Sequence, residues 1–314
     1  MRRLPRRQRG TALILAVGLL GLLALATLSH ALSTPPGVDE TLATERALAR
    51  ARDALVGFAA LGNSTGSQAN SPGALPCPDL DNDGVADQLN CAGHVGRLPW
   101  RTLGLGRTTD GSNECLWYAR SPTFSNHIQT STRGTSPERP PLNPATPGEI
   151  VEVGSTGPTG RLLAATIFAP GYALAGQLRG AADPVSGCRG GDVGQFLENA
   201  DVAGVDHAHT GGLTAVSRPP DSGFNDRVIA LDTARLFATA GMRVLAELRP
   251  PTGESGDGSR NVDGTPVAAW WERNQWCAHL CLQGDTARIA LSDGSIIART
   301  LAVLPDCALS CPGS

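Results

Sequence analysis

The sequence predicts an α+β fold carried behind an apolar N-terminal helix, and three observations predict it. An arginine-rich start runs into an uncharged, nearly all-apolar stretch; two later segments carry apolar residues at helical spacing; short apolar runs of strand length, bounded by Gly, Pro and Asp, make up much of the remainder. At 314 residues the chain is long enough for one large or two small domains. Its formal charge of -3 hides a split, because Arg2, Arg3, Arg6, Arg7 and Arg9 hold five of the 26 basic residues. The rest sets 21 arginines against 29 acidic residues, a formal -8. Such an acidic body lacks the basic face that phosphate neutralisation requires, which excludes a nucleic-acid binder. Gly and Pro, 38 and 23 residues, point to a folded but loop-rich chain.

The N-terminal run comes first. No formal charge occurs from Gly10 to Val38, and Thr11 to Leu28 is nearly all apolar. About 18 to 20 helical residues cross the roughly 30 Å hydrocarbon layer, so a transmembrane helix is expected over 11–34. The preceding arginines favour a cytoplasmic start, a single pass through a bacterial inner membrane and a periplasmic head. A secretory signal cut beside Ser29-His30-Ala31 and a plain uncleaved anchor are the alternatives. Pro35-Pro36-Gly37 breaks the helix, since proline removes a donor and restricts the residue before it. Between Thr41 and Leu61 the stripe Leu48, Ala51, Leu55, Phe58 and Ala59 predicts a second helix that needs a sheet to cover, with Arg46, Arg50 and Asp53 on another face.

Further along, Leu162 to Ala169 and Val228 to Leu231 read as strands. Asp232 caps a helix to Leu248 whose face is Leu236, Phe237, Ala240, Val244, Leu245 and Leu248. Ala287 to Leu291 and Ser295 to Val303 flank Ser292-Asp293-Gly294 as a hairpin. The expected division is a helix plus loop region at 39–120, a linker or loop at 121–160, an α+β head at 161–248, a linker at 249–265 and a Trp/Cys-rich subdomain at 266–314.

Asp79-Leu-Asp81-Asn-Asp83-Gly84-Val85-Ala-Asp87 fits the start of an EF-hand-type loop. Carboxylates stand at positions 1, 3, 5 and 9, Gly at 6 and a backbone carbonyl at 7, so alternate oxygens converge on one calcium ion. Asn90 replaces the bidentate Glu at position 12, which lowers the expected affinity toward roughly 0.1 to 1 mM. A metal-free Asx-rich turn is the alternative. Cys77 and Cys91 bracket this loop, Cys115 and Cys188 are left as a second pair, and Cys277, Cys281, Cys307 and Cys311 form two Cys-x3-Cys pairs. Eight cysteines in an exported chain read first as four disulfides, with bonds across the two tail pairs preferred, bonds within them open, and zinc the competing use.

Enzyme signatures are thin. Gly62-Asn-Ser64-Thr-Gly66 has nucleophile-elbow spacing but trails a helix instead of joining strand to helix. Asp206-His207-Ala-His209 offers alternating imidazoles in a Gly-rich polar region, where an exposed loop is expected. Trp270, Trp271 and Trp276 read as the core of the tail, or as a contact surface if exposed. No catalytic residue and no small-molecule substrate is predicted.

Arg-Gln-Arg-Gly10 directly before Thr11-Ala-Leu-Ile-Leu15 resembles a prepilin leader, cut after Gly10 to leave Thr11 as the new N-terminus. The resemblance continues through Leu75-Pro-Cys-Pro-Asp79, Gly96 to Gly104, Ile167-Phe-Ala-Pro-Gly171, Gly176-Gln177 and Phe224 to Leu231, which together look like a proteobacterial pseudopilin-like group. Leu15 stands where most type IV pilins and pseudopilins place Glu, a departure shared with minor pilins and the tip pseudopilin of type II secretion. The resemblance implies a pilin-like head with a helix packed on antiparallel sheet. It implies a structural, non-enzymatic component of a type IV pilus or type II secretion assembly, with prepilin peptidase, other pilin-like subunits and the inner membrane as partners. The alternative is an anchored periplasmic binding or adhesion module with no filament role.

Overall fold

The computed structural model describes residues 19–20, 37–61, 72–87, 94–125, 140–198, 205–208, 214–247, 274–301 and 309–311. The chain divides into two units, 1–42 and 43–314. Helix α1 (Val38–Leu61) begins with Asp39 and Glu40, whose charges suit a helix N-terminus. Thr44, Leu48, Ala51, Leu55 and Ala59 recur every three or four residues and are its buried stripe.

Among the described residues no helix is long and apolar enough to cross a membrane. This corrects the transmembrane helix expected over 11–34 and the single-pass inner-membrane placement that rested on it. Of that stretch only Leu19 and Leu20 are described, as helix. Helix α1, with 24 residues, has the length to span a bilayer, but Asp39, Glu40, Glu45, Arg46, Arg50, Arg52 and Asp53 make it far too polar. The other long helix has 15 residues, about 22 Å, and is too short.

The fold is a mixed α+β body with two sheets. The first holds β1 (Val95–Arg97), β2 (Trp117–Arg120), β3 (Ile150–Gly154), β4 (Gly157–Ala169), β5 (Thr214–Val216) and β6 (Arg227–Asp232). Strand β4 is its axis and pairs antiparallel with β2, β3 and β6, while β3 and β5 run parallel. From Leu163 to Ala169 every residue of β4 is buried, so both faces are covered. Ala165, Ile167 and Ala169 meet the core that includes Leu48, Leu55 and Phe237; Leu163 and Phe168 join Trp117, Ile150 and Phe196 on the other side. The stretch 121–160, read from its Pro, Gly, Ser and Thr content as loop or linker, therefore contains β3 and the first residues of β4.

Helix α2 (Thr233–Glu247) follows β6 without a loop. Asp232 Oδ1 accepts the Arg235 N–H at 2.7 Å and caps it, and Leu236, Phe237, Ala240, Val244 and Leu245 are buried. Asp232→Ala is expected to lower stability by about 1 kcal/mol, read as a lower urea midpoint at unchanged slope. The second sheet runs β10-β7-β8-β9, from β7 (Leu280–Gln283), β8 (Thr286–Ala290), β9 (Ile296–Thr300) and β10 (Leu309–Ser310). Asp293 Oδ1 closes the β8–β9 turn on Ser295 N at 2.9 Å. Trp276, fully buried, sets its ring edge to Phe237 at 5.7 Å, so the tail shares one core with α1 and α2.

Two disulfides are placed: Cys115 to Cys188, and Cys281 to Cys311, the latter joining one cysteine of each tail pair. Cys77 and Cys277 are disulfide-bonded as well; Cys91 and Cys307 lie outside the described residues.

Candidate functional site

Asp79 organises the acidic loop. Only 2% exposed, it accepts Asn82 N (2.7 Å) and Asp83 N (3.2 Å) on Oδ1 and Gly84 N (2.8 Å) on Oδ2. Asp87 Oδ2 accepts Leu80 N at 2.7 Å and closes the loop from its far end. Gly84 turns at φ 86° with the Trp100 indole 2.6 Å from where a Cβ would sit, so this position admits glycine for two reasons at once. Carboxylate oxygens of Asp79, Asp81 and Asp87 come within 4.8 Å of one another. Asp83 stands outside that trio, with Oδ1 accepting Val85 N at 2.6 Å. Burial, reinforced by the charges of Asp83 and Asp81, pushes Asp79 up to about 6 against the pull of its N–H donors. Three hard oxygen donors drawn together at this cost in repulsion fit calcium better than a soft metal.

The loop is fastened to the body. Asp79 and Arg97 exchange backbone hydrogen bonds at 2.9 and 3.0 Å, and Asn82 Nδ2 donates to Cys188 O at 3.2 Å, next to a disulfide. The Arg97 side chain, in a residue 4% exposed, lies 4.6 Å from both the Trp117 and Phe196 ring centroids and donates to Arg189 O. Burial lowers it to about 10, with Asp79 and Glu114 opposing. Arg101 and Arg107 reach Val185 O and Gly187 O at 3.0 and 2.7 Å, so three arginines hold the segment around Cys188.

A second cluster was not legible in the sequence. His207 is fully buried, not part of an exposed loop, with Phe168 and Phe224 against its ring at 4.7 and 5.7 Å. Its Nδ1 lies 2.7 Å from Asp226 Oδ2, and its Nε2 accepts the Val216 N–H at 2.8 Å. Glu198 and Asp226 exchange N–H donors: Glu198 N reaches Asp226 Oδ2 at 3.1 Å, Asp226 N reaches Glu198 Oε2 at 3.3 Å. One ligand atom from each of the three residues falls within the same 4.8 Å, yet the set does not fit a metal. Because Val216 supplies a proton to Nε2, the imidazole carries its own on Nδ1 and has no lone pair left there. Nor does it suit catalysis, since neither carboxylate nor imidazole reaches a surface where substrate could arrive.

The remaining predicted positions separate. Gly10, Thr11, Ser64, Asn90, His209, Trp270 and Trp271 lie outside the described residues. Asp206 and His207 are buried side by side, and Trp276 belongs to the core. No known protein family, no curated protein and no solved structure matches this chain, so the pilus and secretion-system identity expected from the resemblance finds no support among them.

Proposed function

We propose that this chain is a calcium-stabilised structural subunit of pseudopilin-like kind, not an enzyme, whose oxidised body presents a rigid surface to other subunits. The observation that carries the reading is the Asp79–Asp87 loop, a backbone-locked group of carboxylates tied through Asn82, Arg97 and Cys188 to the disulfide-held segment. Calcium there offsets most of the charge of the trio and stiffens what it is fastened to; the disulfides suit an oxidising compartment. The assembly role draws support from the helix-first order, with the α1 stripe in one core with an antiparallel strand of the sheet.

Calcium at tenfold over its dissociation constant is expected to add about 1.4 kcal/mol of stability. Asp81→Ala tests this well, because Asp81 is exposed and its one described role in the turn is a long 3.3 Å contact to Asp83 N. Thermal melts with low-millimolar calcium should rise for the unaltered chain and stay flat for the variant. Titration calorimetry without heat would end the calcium assignment. Mass spectrometry of the N-terminus after co-expression with a prepilin peptidase tests the assembly reading separately: Thr11 supports it, an intact Met1 removes it.

A further inference from the structure

We propose that the folded chain binds one structural proton between Glu198 and Asp226, held beside a neutral His207 whose own proton sits on Nδ1. Two neighbouring carboxyl groups shut away from water point to it. Asp226 Oδ2 already accepts Glu198 N and His207 Nδ1, and Glu198 Oε2 accepts Asp226 N. No donor among the described residues reaches the other two oxygens, Glu198 Oε1 and Asp226 Oδ1, both shielded from solvent. One oxygen of each carboxyl group lies within 4.8 Å of the other in this solvent-shielded site, so a proton on one of them supplies the donor that the pair otherwise lacks. Two bare carboxylates buried in contact would repel without compensation, as in any dyad that shares a proton.

The surroundings assign the proton to Glu198. Arg179 lies on the Asp226 side and favours its ionised form, while Asp110, also nearby, is committed to Ser112 N, Glu114 N and Gly171 N. His207 keeps Asp226 as its acceptor, with Asp206 the further charge beside the imidazole. Burial first, and the Asp226 charge second, push Glu198 up to about 9; burial pushes His207 down to about 4. The proton therefore joins four segments that the sequence separates: the segment at Glu198, the pair Asp206-His207, strand β5 through Val216, and Asp226 directly before β6.

The sign of the pH dependence follows. Between the ordinary glutamate value of 4.5 and about 9, the folded chain binds one proton that the unfolded chain has lost, so stability falls as pH rises. Asp226, pushed up to about 7 by burial, adds to the fall up to that pH, and His207 acts in the opposite sense only below 6.5, which leaves the range from about pH 7.5 to 9 to Glu198. The folding constant should drop about tenfold per pH unit there, with disulfides intact. Glu198→Gln keeps the donor and removes the titration, so its profile should be flat by comparison.

Carbon-13 spectra of the full-length, Glu-labelled chain should show one carboxyl still neutral at pH 7, absent from Glu198→Gln, and nitrogen-15 spectra a buried Nδ1–H histidine. An ordinary midpoint near 4.5 for Glu198 overturns the proposal. So does an Nε2–H tautomer for His207, an unchanged pH slope in Glu198→Gln, or a stoichiometric metal retained by the natural chain and lost from that variant. Should Glu198→Gln not fold, the midpoint and tautomer in the natural chain still decide.

Discussion

Replacing the buried Cys115 and Cys188 together by alanine is expected to cost about 4 kcal/mol, because it frees a long loop of the unfolded chain. The bond closes 73 residues of chain, and in the chain-entropy view the freed unfolded ensemble gains accordingly. Native contacts argue in the same direction. The segment around Cys188 has little apolar burial of its own: Leu178 and Val185 are 82% and 64% exposed. Its order comes from Gly180 N to Gly190 O at 2.8 Å, Asp183 N to Cys188 O at 2.8 Å, and the arginine contacts to its carbonyls. Without the bond these exposed hydrogen bonds compete with water, and Asn82 loses a fixed acceptor. Equilibrium unfolding in guanidinium checks the loss, and calcium affinity should weaken in parallel. A change below about 1 kcal/mol would mean that the unfolded chain stays compact without the bridge.

What the sequence disclosed follows the range of the interactions. The α1 stripe of Leu48, Ala51, Leu55 and Ala59, and α2 with its Asp232 cap, rest on residues three or four apart and are legible as written. Strands β3 and β5 were not, because five and three residues amid Gly, Pro and Thr carry no period. Turn chemistry around Asp79 showed in the spacing of its aspartates, but the departure of Asp83 from the trio did not, since it depends on Oδ1 turning to Val85 N. His207 failed for the same reason at longer range. Its local neighbours are Gly-rich and polar, while the groups that bury it, Glu198, Val216 and Asp226, stand 9 to 19 residues away on other segments. The apolar run over 11–28 satisfied a length rule for membranes, but only Leu19 and Leu20 of it are described, and no helix among the described residues meets that rule.

Arg97→Ala is expected to cost about 3 kcal/mol, on the scale of removing one partner from a buried charged network. Arg97 sits where the acidic loop, the Cys115–Cys188 segment and the second hydrophobic cluster meet. Its backbone pairs with Asp79, its guanidinium donates to Arg189 O, and it lies over both Trp117 and Phe196, whose ring centroids are 5.2 Å apart. Truncation leaves a void over two aromatic rings, an Arg189 carbonyl without its donor, and Asp79 without the positive charge that Arg97 sets beside it, whereas Glu114 keeps Arg179 and Arg189. Lysine does not restore this, because an ammonium neither stacks on both rings nor presents a planar fork, so Arg97→Lys should recover less than half of the loss. Urea unfolding of both variants measures the cost. Calcium titration separates its two origins: a loss confined to packing leaves calcium affinity unchanged, whereas a loss through Asp79 tightens calcium binding, since the ion then faces more uncompensated negative charge. A cost below about 1 kcal/mol for Arg97→Ala would show that water replaces the guanidinium over the rings, and would detach the acidic loop energetically from the disulfide segment.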